Sequence, residues 1–171
     1  MKYYFLLIFV AISITGFSQG QRRGQHGPPV LKEISDLSVI KSVYPNADTQ
    51  KKENAYWNKI VDAKGKVLGY ALNSRDYCKD VKGHANTTPV LIVTDKKQVI
   101  QKVSMLSNYE TESYVAKLTT AGFFNKWNNK EVSKAKLETV DGYTGATRTA
   151  MAVVKNVNFL LENGAKLKPK K

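Results

Sequence analysis

The chain is predicted to adopt an α+β fold, in which helices pack against an antiparallel sheet of about four to six strands, a common sheet size. Three patterns support this prediction. Short apolar segments separated by turn residues occupy the region from 56 to 106. One of them, Pro89–Val93, is a continuous apolar run with the length of a strand buried on both faces. The C-terminal region instead repeats apolar residues at three- and four-residue spacings, as an amphipathic helix does.

The N-terminal residues have the pattern of a secretory signal. Lys2 provides a basic start, and an apolar run follows as far as Phe17. This run is short for a membrane span and has the usual length of a signal peptide. We therefore predict a cleaved signal over residues 1–19, with an uncleaved anchor as the alternative. Residues 20–29 are rich in Gly, Gln, Arg and Pro and predict a flexible linker.

Charge and cysteine content restrict the classes of partner. The formal net charge of +13 raises nucleic acid and anionic membranes as candidates. However, the lysines are scattered apart from a cluster in residues 166–171, and no basic groove with interleaved aromatic residues is visible. We therefore predict a solvated basic surface and no nucleic-acid partner.

The single cysteine, Cys78, cannot form an internal disulfide and is interpreted as a small, partly buried residue. No spacing typical of metal ligands appears.

The elements can be predicted in chain order. A helix is expected within Val30–Ala47, ended by Pro45 and a turn at residues 46–48. The predicted strands are Tyr56–Val61, Val67–Leu72, Pro89–Val93 and Gln98–Leu106. Between the second and third of these strands, residues 76–88 are predicted to be a polar loop. A short helix is expected at Glu112–Ala121, with Thr111 as its cap and Gly122 as its stop, and the aromatic residues at 123–127 are expected in the core.

The stretch Asp141–Thr147, with the sequence DGYTGAT, leads directly into the C-terminal amphipathic helix. Its apolar face consists of Ala150, Val153, Val154, Val157, Leu160 and Leu161, and Gly164 is expected to end it. Thr147 is therefore predicted in or just before the first turn. Helix N-termini suit phosphate groups, and small residues such as Gly145 and Ala146 let a ligand approach the backbone. These features suit a phosphoester on the Thr147 hydroxyl, and the residues alone favour the simpler interpretation, an ordinary turn with Thr144 or Thr147 as N-cap.

DGYTGAT followed by RTA resembles the flavinylation motif of FMN-binding domains, Asp-x-x-(Ser/Thr)-Gly-Ala-Thr. Such domains occur in the C subunit of the sodium-pumping NADH:quinone reductase, in the G subunit of the Rnf electron-transport complex and as free-standing secreted proteins. The resemblance extends upstream to about Val43. It implies an FMN-binding domain over residues 30–164, followed by a basic tail at 165–171.

The resemblance also implies roles for individual residues. A flavin transferase would join the FMN phosphate to Thr147, with Thr144, Gly145 and Ala146 around the phosphate and Asp141 serving the attachment step. Glu110 and Thr111 match the start of a Glu-Thr-Pro-Gly turn that borders the flavin in the family. Here residues 112 and 113 are Glu and Ser, so no flavin contact is carried over to them.

The function that the resemblance implies is an exported flavoprotein that shuttles electrons, in the periplasm or at the outer face of the inner membrane. Its expected partners are a flavin transferase and a membrane-bound or extracytoplasmic redox protein. A noncovalent FMN-binding or sensory module is the alternative. Because no acid–base pair or nicotinamide fingerprint is visible, an electron carrier is favoured over a self-contained enzyme, and no catalytic residue is assigned.

Overall fold

A computed structural model describes residues 30–136 and 145–169. In chain order the elements are helix α1 (Asp36–Lys41), strands β1 (Ala47–Lys52), β2 (Trp57–Asp62), β3 (Val67–Asn73), β4 (Val90–Thr94) and β5 (Ile100–Met105), helix α2 (Glu112–Thr120), 3₁₀ helices at Phe123–Trp127 and Val132–Lys134, and helix α3 (Thr147–Lys166). The predicted α+β class is confirmed.

The sheet is a five-stranded meander in the order β1-β2-β3-β4-β5, and each strand pairs antiparallel with its neighbour in sequence. The turn between β2 and β3 lies between the predicted strands Tyr56–Val61 and Val67–Leu72. Gly65 adopts a φ of 78° there, and the Asp62 carboxylate accepts hydrogen bonds from the backbone N–H groups of Lys64 and Lys66, each at 2.9 Å. Glycine adopts this left-handed conformation without the steric cost of a Cβ.

The sheet has a hydrophobic core on each face. One core lies between the sheet and helices α2 and α3 and contains Trp57, Leu72 and Ile92. The other lies under α1 and contains Leu91 and Val93. Alternate residues of β4 therefore point into opposite cores, and all five of its residues are buried. This arrangement confirms the prediction that the strand is buried on both faces.

Strand β1 corrects the prediction of a turn at residues 46–48. Ala47 begins this strand, which pairs with β2 along the edge of the sheet. Its sequence, ADTQKK, is mostly polar because it is largely exposed at the edge, and it therefore lacks the apolar alternation by which strands are recognised. Helix α1 lies within the predicted range and ends at Lys41, four residues before Pro45.

Helix α3 continues past the predicted stop at Gly164 and ends at Lys166. Gly164 is buried because it faces the sheet, and a Cβ built on it would lie 3.2–3.3 Å from side-chain atoms of Leu72 and Trp57. The Trp57 indole N–H donates to the Gly164 carbonyl oxygen at 3.0 Å. Glycine at this position thus allows close packing within the helix rather than ending it.

We predict that Gly69→Ala destabilises the fold by about 1–3 kcal/mol, the usual cost of overpacking a core. A Cβ at this position in β3 would overlap the Thr94 carbonyl oxygen and lie 2.9 Å from the Tyr44 hydroxyl oxygen. Urea denaturation should give a lower midpoint. Adding Tyr44→Phe removes only the hydroxyl, so it should not restore the midpoint, because the Thr94 oxygen belongs to the backbone. Recovery in the double variant would contradict this explanation.

Candidate functional site

The last three residues of the DGYTGAT stretch lie at the N-terminus of α3. Gly145 has a φ of 80°, Ala146 is the N-cap, and Thr147 is the first helical residue, as predicted. The Ala150 N–H donates to the Ala146 carbonyl oxygen at 2.9 Å, which fixes where the helix begins. The other two predicted site residues of the stretch, Asp141 and Thr144, lie outside the described residues, and their roles stay predictions.

A cleft of about 260 Å³ opens beside Thr147. It is lined by His84, Tyr114 and residues 145–149. The His84 and Tyr114 rings meet edge to face, with centroids 4.9 Å apart and planes at 77°. The cleft therefore combines a helix N-terminus, a hydroxyl residue and two aromatic rings drawn from three separate parts of the chain.

Glu110 is buried, with 5% of its surface exposed, behind the first turn of α3. One carboxylate oxygen, Oε1, accepts hydrogen bonds from the backbone N–H groups of Ala85 (3.0 Å) and Asn86 (3.4 Å). The other, Oε2, accepts a hydrogen bond from the Thr149 hydroxyl at 2.5 Å. Gly83 permits this packing, since a Cβ there would lie 2.5 Å from Oε1. Glu110 thus ties the loop that carries His84 to the helix that carries Thr147.

Thr111 is the N-cap of α2, but its side chain makes no capping hydrogen bond. Its carbonyl oxygen accepts from the Tyr114 N–H at 2.9 Å and so helps to place the Tyr114 ring. For Glu110 and Thr111 alike, the structure gives a role in positioning the walls of the cleft. Their predicted proximity to a flavin stays a prediction.

Two cations near Thr147 were missed by the sequence reasoning. A Cβ built on Gly145 would lie 2.9 Å from the Lys117 amine, so this side chain reaches from α2 to the start of α3. Arg148 lines both the cleft described above and a second cleft of about 410 Å³, whose other lining residues are Asp80, Val81, Lys82, Gly83, Met151, Ala152 and Lys155. The proximity of Arg148 to Thr147 is visible in the sequence. The proximity of Lys117 depends on how α2 and α3 pack.

Other chemistry is limited in the part of the chain that the structure describes. Burial raises the pKa of the Cys78 thiol, which lowers the fraction of reactive thiolate at neutral pH. No group of three or more His, Cys, Asp and Glu side chains suited to a metal ion occurs among the described residues. Within residues 30–136 and 145–169, no helix is both long enough and apolar enough to cross a lipid bilayer.

We predict that Thr149→Val destabilises the protein by about 1.5–3 kcal/mol, because it removes a hydrogen bond to a charged group. In a Glu110→Ala background the same change should cost much less, since the acceptor is already absent. Equilibrium unfolding of the two single variants and the double variant measures this coupling free energy. Additive losses would contradict the interaction between the two side chains.

Comparison with known proteins agrees with this geometry. The family model for the FMN-binding domain matches residues 83–162, a range that contains the described residues of the cleft, together with Glu110 and Lys117. No curated protein matches the chain. A helix N-terminus beside a small-residue loop and a cleft with aromatic walls fits a cofactor that has both a phosphate and a planar ring. Residues 83–162 of this chain are therefore similar to the FMN-binding domain family.

Proposed function

We propose that this protein holds FMN through a phosphoester to Thr147 and passes electrons in a redox chain outside the cytoplasm. The observation that carries the proposal is the position of Thr147. It is the first residue of a 20-residue helix, it lines a cleft, and it lies within the region matched by the FMN-binding family. The coarser part of the proposal, that the domain binds FMN, is supported by the match to the FMN-binding domain family.

The residues around Thr147 suit a phosphoester for electrostatic and steric reasons. The N-terminus of α3 supplies backbone N–H groups and a partial positive charge, both of which favour a phosphate. Gly145 has no side chain and Ala146 has a small, buried one, so neither blocks access to the backbone. His84 and Tyr114 offer aromatic surface in the same cleft for a planar ring. The flavin, when bound, supplies reversible one- and two-electron chemistry.

The attachment step requires a transferase, because a threonine hydroxyl is a weak nucleophile. Thr147 Oγ1 would form a bond to phosphorus while the bond from that phosphorus to its leaving group breaks. An activated flavin nucleotide with a phosphoanhydride bond would supply that leaving group, and the hydroxyl proton would pass to a base. By resemblance, Asp141 would assist the transferase in this step. The remaining role of the chain is to present the hydroxyl at the mouth of an open cleft.

Export and covalent attachment support each other physically. The pattern of residues 1–19 predicts a signal, and an exported protein is separated from the cytosolic pool of FMN. A covalent link keeps the cofactor at high effective concentration in spite of that separation. The redox partner would then be a membrane-bound or extracytoplasmic protein. If FMN is instead bound noncovalently, the same domain would act as a binding or sensory module.

We predict that Thr147→Ala abolishes covalent FMN when the full chain is co-expressed with a flavin transferase and exported. Intact mass after denaturation should show the wild-type protein heavier by one FMN less one water, with the modification on the peptide that contains Thr147. Thr147→Ser keeps a hydroxyl and should retain the flavin. Thr49→Ala removes an exposed threonine hydroxyl in β1, away from the cleft, and should leave the modification in place.

Each result decides between the two functions. Covalent flavin on the Thr147→Ala variant would refute the assignment of the attachment residue. A wild-type protein that gains no mass but binds added FMN would favour the noncovalent module.

A further inference from the structure

The start of α3 brings together positive charges from two helices. The Lys117 amine, at the end of an α2 side chain, lies beside Gly145, as the 2.9 Å separation from a Cβ built there indicates. Arg148 is the second residue of α3. The N-terminus of the helix itself is equivalent to about half a positive charge. Cations are unfavourable at this end of a helix and favourable at the other end.

No described carboxylate forms an ion pair with Lys117 or Arg148, although the buried Glu110 carboxylate accepts a hydrogen bond from Thr149 in the first turn of α3. The first turn of α3 contains no acidic residue, and the residues that line the adjoining cleft are His84, Tyr114 and 145–149. Among the described residues, Lys117 and Arg148 form no ion pair, whereas lysines elsewhere do. Lys136, for example, lies 2.6 Å from Glu162. Lys117 and Arg148 therefore lie near the start of α3 without an ion-pair partner among the described residues, and an anion there would be favourable.

We propose that Lys117 is the side chain that completes the phosphate site, holding the FMN phosphate against the start of α3. This proposal rests on the proposed function and adds to it a residue from another helix. Gly145 has no side chain in the space into which the amine extends, and its φ of 80° independently favours glycine. A phosphate attached to Thr147 would lie between Lys117 and the helix N-terminus. It would join α2 to α3 by binding a cation on one and backbone N–H groups on the other.

The contribution of Lys117 to the stability of the fold then changes sign when FMN is attached to Thr147. The chain with attached FMN is called loaded, and the chain without it unloaded. Without the phosphate, the amine lies at the positive end of a helix, so removing its charge is neutral or relieves a repulsion. With the phosphate in place, the amine neutralises an anion, so removing its charge costs stability. A surface lysine with an ordinary structural role would have an effect of the same sign in both forms.

The test compares Lys117→Met with the wild-type chain, each prepared with and without a co-expressed flavin transferase. Methionine keeps a long apolar side chain and removes the charge. We expect the melting temperature of the unloaded variant to be equal to the wild-type value or higher by about 1–3 °C, and that of the loaded variant to be lower by a similar amount. Added salt should shrink both differences by screening the charges.

Two further variants serve as controls. Lys117→Arg keeps the charge and should behave as wild type in both forms. Lys96→Met makes the same change in net charge in the exposed turn between β4 and β5, and its effect should not depend on loading. If Lys117→Met takes up no flavin, attachment is measured in Lys117→Arg. Flavin on Lys117→Arg would support the proposal. No flavin on Lys117→Arg would overturn it.

The outcomes also separate this proposal from the proposed function. Equal losses of stability in the loaded and unloaded forms of Lys117→Met would overturn the phosphate role, because Lys117 would then be paired within the protein itself. A wild-type chain that gains no covalent flavin would instead refute the proposed attachment, as judged by mass before any melting experiment.

Discussion

The burial of α3 against the sheet is the interaction on which the position of the site depends. Burying a large aliphatic side chain stabilises a fold by about 1.5–3 kcal/mol, compared with about 1 kcal/mol for a typical hydrogen bond. The helix buries several such side chains, namely Val153, Val154, Val157, Leu160 and Leu161. Apolar packing therefore holds the helix on the sheet. Hydrogen bonds near its two ends, from Trp57 to Gly164 and from Thr149 to Glu110, fix its position along its axis.

The buried Glu110 carboxylate is stabilised by hydrogen bonds that also join two walls of the cleft. Burying a carboxylate is unfavourable by several kcal/mol unless its oxygens are hydrogen-bonded, and no cation pairs with this one among the described residues. Three donors satisfy it instead: two backbone N–H groups and the Thr149 hydroxyl. Because those donors come from the loop after Gly83 and from α3, the carboxylate holds two walls of the cleft in register.

The sequence predicted what depends on local pattern and missed what depends on packing. The apolar run at β4 is recognisable because both faces of that strand are buried. The helical spacing in α3 is recognisable because one face of that helix is buried. Strand β1 was missed because its edge position leaves it polar, and Gly164 was misread because its close approach to Trp57 is a long-range contact. The position of Thr147 followed from its motif. The contributions of His84, Tyr114 and Lys117 required knowing that three separated segments meet at one helix end.

The order of the strands has a consequence for the timing of assembly. Each pairing among the five strands joins neighbours in sequence, so three of the connections are short turns and only the connection over residues 74–89 is longer. The entropic cost of closing each of them is therefore modest. The docking of α3 instead joins residues as far apart as Trp57 and Gly164, and it is the last described element of the chain. The Thr147 hydroxyl therefore reaches its place beside the His84 and Tyr114 rings only when that long-range contact has formed. In the proposed carrier, a transferase that recognises the assembled cleft would modify chains that have completed folding and pass over those that have not.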